Sequence, residues 1–158
     1  MLNSASNNIA TPPVLNSDAA PQPVDASYTL ALAAVEAADD RKAGDIAWLH
    51  VEGVSILSDY FIIVTGYSIT QVRAIATAIE DSIEERFQRL PRQIEGRQTG
   101  TWILMDYEDT IVHIMLESER EFYNLEAFWG HAPRIPFPPS SDSESHHANA
   151  PSTPNNLC

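Results

Sequence analysis

Along the chain, apolar residues begin to recur at helical spacing only after residue 26. From Ser27 the pattern predicts a helix. Ser27 serves as its N-cap, Leu32, Val35 and several alanines line one face, and Arg41 and Lys42 fall in the last turn. Gly44, just beyond, is expected to supply a left-handed C-cap. A short strand follows at 46–51, closed by Glu52-Gly53. The run Tyr60-Phe61-Ile62-Ile63-Val64-Thr65 is apolar without alternation and β-branched, the pattern of a strand buried on both faces. Gly66 breaks it, and Ser68-Ile69-Thr70-Gln71 reads as a capping box. The helix that it opens places Val72, Ile75, Ala76, Ile79, Ile83 and Phe87 on one face, until Pro91 stops it. Beyond a polar connection, residues 101–106 and 110–116 predict two strands. Tyr107-Glu108-Asp109 turns them into an antiparallel hairpin. A second capping box, Ser118-Glu119-Arg120-Glu121, predicts a last helix running through Trp129.

These elements place one domain at residues 27–135. Residues 1–26 and 136–158, rich in Ala, Asn, Ser and Pro, carry too little large apolar surface to offset their ordering entropy. They are expected to be disordered tails. The order helix, strand, strand, helix, strand, strand, helix predicts an α/β or α+β fold: a mixed sheet with helices packed on it. Pattern alone does not set the strand order, and no internal repeat is present.

Composition changes the picture through charge. The 158 residues include 22 Asp and Glu against 9 Lys and Arg, a formal charge of -13. All nine basic and 18 of the acidic residues fall within 27–135, so the domain is itself acidic. Nucleic acid is a poor direct partner for such a surface, because its binding rests on cations neutralising phosphates. A basic protein suits it, as does the plain alternative that the charge serves solubility. The single cysteine, Cys158, allows neither a disulfide framework nor a cysteine zinc site. No apolar run reaches the length of a signal peptide or a membrane span, and no Lys or Arg precedes Arg41. A reducing, cytoplasmic location is the expectation.

Motifs for catalysis are missing. The six glycines are scattered and form neither GxGxxG nor GxxxxGKS/T, and no G-x-S-x-G elbow occurs. His50 and His113 sit singly in predicted strands, where a structural role is the ordinary one, and His131, His146 and His147 lie at or in the C-terminal tail. Asp106, Glu108 and Asp109 cluster at the hairpin, where a divalent metal and ordinary turn chemistry are both available readings. Asp59 stands alone, without the Asp-x-Asp spacing that holds two metal ions. No catalytic, cofactor or metal residue is assigned. Trp48 and Trp129 are expected to pack. Trp102, Met105 and Tyr107, if partly exposed, would form an aromatic and apolar anchor patch; burial of the strand tryptophan is the equal alternative.

Three segments together resemble one family. SDYFIIVTGYSITQVRAIA (Ser58–Ala76), TWILMDYEDTIVHIML (Thr101–Leu116) and EFYNLEAFW (Glu121–Trp129) are similar to the signature blocks of the ribosomal silencing factor (RsfS/Iojap) family, in order and at near-family spacing. The resemblance implies a nucleotidyltransferase-like fold that lacks the metal-binding Asp pair. It further implies binding to the large ribosomal subunit through a basic ribosomal protein, number fourteen of the bacterial set. A bound factor would then block small-subunit joining and lower translation under nutrient limitation. Carried over by residue, the contact set is Trp102, Met105, Asp106 and Tyr107, with Ser68 and Tyr67 as weaker members. Two positions depart from the pattern: Tyr107 replaces an aliphatic residue of some relatives, and Glu108 stands where many have Gly. Homodimerisation through the sheet is compatible with the sequence but not specified by it. Two rival readings stand beside this one: a metal-dependent nucleotidyltransferase using Asp59, Asp106 and Asp109, and an acidic adaptor for a non-ribosomal client.

Overall fold

The structure, a computed structural model, describes residues 25–53, 55 and 58–138. The two predicted tails fall almost wholly outside these residues. A five-stranded mixed sheet forms the centre. Its strands are β1 (Gly44–His50), β2 (Tyr60–Gly66), β3 (Gln93–Glu95), β4 (Trp102–Asp106) and β5 (Thr110–Leu116), in the order β1-β2-β5-β4-β3. β2 and β5 run parallel, and every other pair is antiparallel. α1 (Ala26–Asp40) and α2 (Ile69–Phe87) cover one face, burying Trp48, Ile62, Val64, Ile103, Met105, Val112 and Ile114 beneath Leu30, Val35, Ile75, Ile79 and Ile83. The fold is therefore α+β with a mixed sheet, as the pattern predicts.

β2 is buried at all seven positions, because helices cover one side and the C-terminal part of the chain covers the other. The capping box of α2 forms with a shift. Ser68 Oγ accepts from Gln71 N at 3.1 Å, while Gln71 Oε1 accepts from Tyr67 N at 2.8 Å rather than from Ser68. The Gln71 amide also donates to the Arg41 and Lys42 carbonyls, so it ties the end of α1 to the start of α2. α2 ends at Gln88 in the left-handed region, three residues before Pro91.

Four local expectations need correction. α1 is capped by Asp25, whose side chain accepts from Ser27 N; Ser27 lies inside the helix and donates its hydroxyl to Asp59 Oδ2 at 2.8 Å. Lys42, not Gly44, takes the left-handed conformation after the helix. Gly44 opens β1, where a Cβ would run into the Tyr67 hydroxyl, so close approach explains that glycine. The second capping box does not form. α3 (Glu117–Tyr123) starts ahead of Ser118 with no side-chain cap, and Asn124 at φ 44° breaks the predicted helix before α4 (Leu125–Phe128). Finally, β3 lies in the connection read as polar, with only Ile94 turned toward the core, opposite Met105.

The β4–β5 hairpin forms as predicted, and Glu108 occupies its left-handed position at φ 73°. A side chain there costs roughly 1–2 kcal/mol, partly offset by the extra unfolded-state freedom of glycine. Glu108→Gly is therefore expected to raise stability by about 0.5–1 kcal/mol, read as a higher urea midpoint at unchanged slope.

Candidate partner-binding face

The face of the sheet away from α1 and α2 is built in three rows by the strand register. Trp102, Met115 and Thr65 form one, Leu104, His113, Ile63 and Ala47 the next, and Asp106, Ile111, Phe61 and Leu49 the third. The chain returns over the β1–β2 half of this face. Trp129 packs edge-on to Phe61 at 4.7 Å, Ala132 is buried, and residues 133–135 bond β1 through His50 N to Pro133 O and Ile135 N to Trp48 O. On the β5–β4 half, Trp102, Leu104, Ile111 and His113 stay half-buried. Glu95, Gly96, Trp102 and Leu104 line a shallow cleft of about 330 Å³ there. Next to it Tyr123 packs on Trp102 at 4.9 Å, and Phe122, 80% exposed, meets Tyr123 edge-on. Phe128 is 76% exposed on α4. Glu95, Glu117 and Glu121 are exposed acidic residues on these same elements.

Strand alternation divides the predicted contact set. Trp102 and Asp106 point to this face, whereas Met105 and Tyr107 point to the other and are fully buried under the helices. The anchor patch of Trp102, Met105 and Tyr107 therefore does not exist as a surface. Burial, with Glu80 nearby, raises the Tyr107 phenol above its ordinary range. Tyr67, 60% exposed, and Ser68 lie at the Trp102 end of the sheet. Asp106 lies four residues along β4, roughly 13 Å away. Its Oδ1 accepts from Glu108 N, and its other oxygen pairs with Arg92 at 3.4 Å. Sequence reasoning missed Leu104, Phe122 and Tyr123 as members of the face. It also missed His113, although that residue shares the alternation parity of the half-exposed Ile111.

The carboxylates proposed for metal chemistry are engaged separately. Asp59 accepts from Ser27, Asp109 pairs with Arg89 at 3.2 Å, and Asp106 pairs with Arg92. Among the described residues no three His, Cys, Asp or Glu side chains are grouped to hold a metal ion. None of the described helices is long and apolar enough to cross a membrane.

The family model described as "Ribosomal silencing factor during starvation" matches residues 24–156. This chain belongs to the ribosomal silencing factor family. It is 43% identical over 100 residues to the Ribosomal silencing factor RsfS of Bacillus subtilis, covering 63% of this chain and 84% of that protein. It is 29% identical over 91 residues to the mouse protein named "Mitochondrial assembly of ribosomal large subunit protein 1", covering 56% of this chain and 40% of that one. A crystal structure of a Chromobacterium violaceum protein is similar with a TM-score of 0.62 at 34% identity, covering 65% of this chain and 84% of that chain.

In this silencing-factor chain, His113 is the group on the open face whose titration is displaced. Burial pushes its imidazole down to about 4. The unfolded chain then binds the extra proton between about pH 6.5 and 4. The stability that His113 contributes is present above pH 6.5 and lost as pH falls through that window. Because the ring keeps some solvent contact, the expected loss by pH 4.5 is about 2 kcal/mol. Urea titrations of the wild type and His113→Asn at pH 7 and 4.5 check this. The variant should lose less stability over the same interval.

Proposed function

We propose that the protein represses translation by occupancy. It docks its open sheet face on a basic protein of the large ribosomal subunit, the one numbered fourteen in the bacterial set. It thereby covers the surface on which the small subunit must seat, and no turnover is involved. The observation that carries this reading is the half-exposed Trp102–Leu104 strip, continuous with Tyr123 and Phe122, on a strongly acidic domain. Aromatic side chains that remain part-exposed beside a cleft are the kind that anchor an interface, where a few residues hold most of the binding energy. Acidic residues around them speed encounter with a basic partner and disfavour nucleic acid. Family membership supports a ribosomal target, and the name of the mouse relative supports the large subunit. Within the contact set, Trp102 is the central anchor, with Tyr67, Ser68 and Asp106 at the margins.

Co-sedimentation with isolated subunits tests the target. The protein is expected to pellet with the large subunit and not the small one, and to bind more slowly as salt rises. Pelleting with neither subunit at low salt, from a folded sample, removes the proposal. Equal capture by unrelated basic proteins favours the acidic adaptor instead. Magnesium-dependent heat on adding ATP or CTP favours the nucleotidyltransferase.

A further inference from the structure

We infer that His113 is a positioning residue for Trp102, holding the indole in one orientation on the binding face proposed above. The Trp102 Nε1–H donates to His113 Nδ1 at 3.1 Å, with the rings 5.8 Å apart at 46°. An indole nitrogen can only donate, so Nδ1 must accept, and the imidazole is neutral with its proton on Nε2. The surroundings favour that form: Phe61 meets the ring edge-on at 6.2 Å and 85°, and burial keeps the imidazole uncharged at neutral pH. On its other contact the indole packs against Tyr123 at 4.9 Å. His113 and Tyr123 together leave the tryptophan little rotational freedom.

Simple satisfaction of a buried donor does not account for the histidine. Trp102 is only partly buried, and so is its bond to His113. His113 sits on β5, an interior strand of the sheet, between Ile111 and Met115 on the same face, a position that an apolar residue fills without any need for a partner. What the imidazole adds is direction. An anchor ordered before contact loses less side-chain freedom on binding, which strengthens the complex without adding an interfacial contact.

The test uses the ¹⁵N-labelled full chain, whose three tryptophans give three indole N–H resonances. The Trp102 resonance is the one missing in Trp102→Phe. It is expected to move upfield in His113→Leu, which keeps bulk but has no acceptor, and to stay near its wild-type position in His113→Asn, whose Oδ1 stands in for Nδ1. Large-subunit co-sedimentation is expected to weaken roughly threefold to tenfold in His113→Leu, the scale of one net hydrogen bond. His113→Asn is expected to bind nearly as wild type, and His113→Leu to add nothing when Trp102 is already Phe. An indole resonance unmoved in folded His113→Leu overturns the inference. So does wild-type affinity in that variant, or an equal loss in the Trp102→Phe background. If the wild-type protein does not sediment with the large subunit, the proposed function fails, while the resonance comparison still decides whether His113 places the indole.

Discussion

Tyr107→Ala is expected to cost about 3–5 kcal/mol of stability, the range for truncating a fully buried aromatic. Tyr107→Phe is expected to cost little or to stabilise slightly. The two outcomes differ because of where the side chain sits. Its relative exposure is 0%, and the ring belongs to the core beneath the helices with Met105, Val112 and Ile103. Its hydroxyl is buried and has no hydrogen-bond partner among the described residues. Removing an unpaired buried polar atom takes away a desolvation penalty, whereas removing the ring leaves a cavity. Thermal melting reads both variants. The alanine variant should lose well over 10 °C, at the usual several degrees per kcal/mol for a domain of this size. An alanine variant that melts as wild type yet binds ribosomes poorly would put Tyr107 back on the surface.

Trp102→Ala is expected to act the other way, on binding more than on folding. An anchor of this kind carries at least about 2 kcal/mol of binding free energy, a loss of roughly 30-fold in affinity for the large subunit. The stability cost should be about half the lower end for a fully buried tryptophan, near 1.5 kcal/mol, because the residue is only partly buried. What the fold loses is the contact with Tyr123 and the bond to His113. Parallel melting and sedimentation of one preparation separate the two effects. Collapse of the melt with affinity intact would make Trp102 a core residue and move the anchor elsewhere.

Trp102 at the start of β4 and Tyr107 just past its end show what the pattern of residues reveals and what it hides. β2 and α2 were legible because a doubly buried strand and a one-faced helix have distinct apolar periods. In β4 the run Trp102-Ile103-Leu104-Met105 is apolar at both parities, so no period tells which side chains meet the helices. The one available signal was Asp106, which shares the parity of Trp102 and Leu104 and marks that side as the solvated one. β3 escaped notice because a three-residue edge strand with one inward side chain has no period at all. The break at Asn124 was hidden because a single left-handed residue decides it, inside a stretch that otherwise reads as helix. The site was thus half legible. Trp102 was legible and its partners were not: Leu104 sits in a run with no period of its own, and His113 and Tyr123 come from β5 and α3, which only the tertiary fold brings to it.

Occupancy of the large subunit is read most directly from subunit joining, followed by light scattering when large and small subunits are mixed at raised magnesium. With the protein added to the large subunit first, a dose-dependent loss of joining is expected that saturates near one protein per large subunit. Trp102→Ala should need a much higher dose. Joining that proceeds at the same rate and extent, with the protein demonstrably bound to the large subunit, would contradict repression by occupancy.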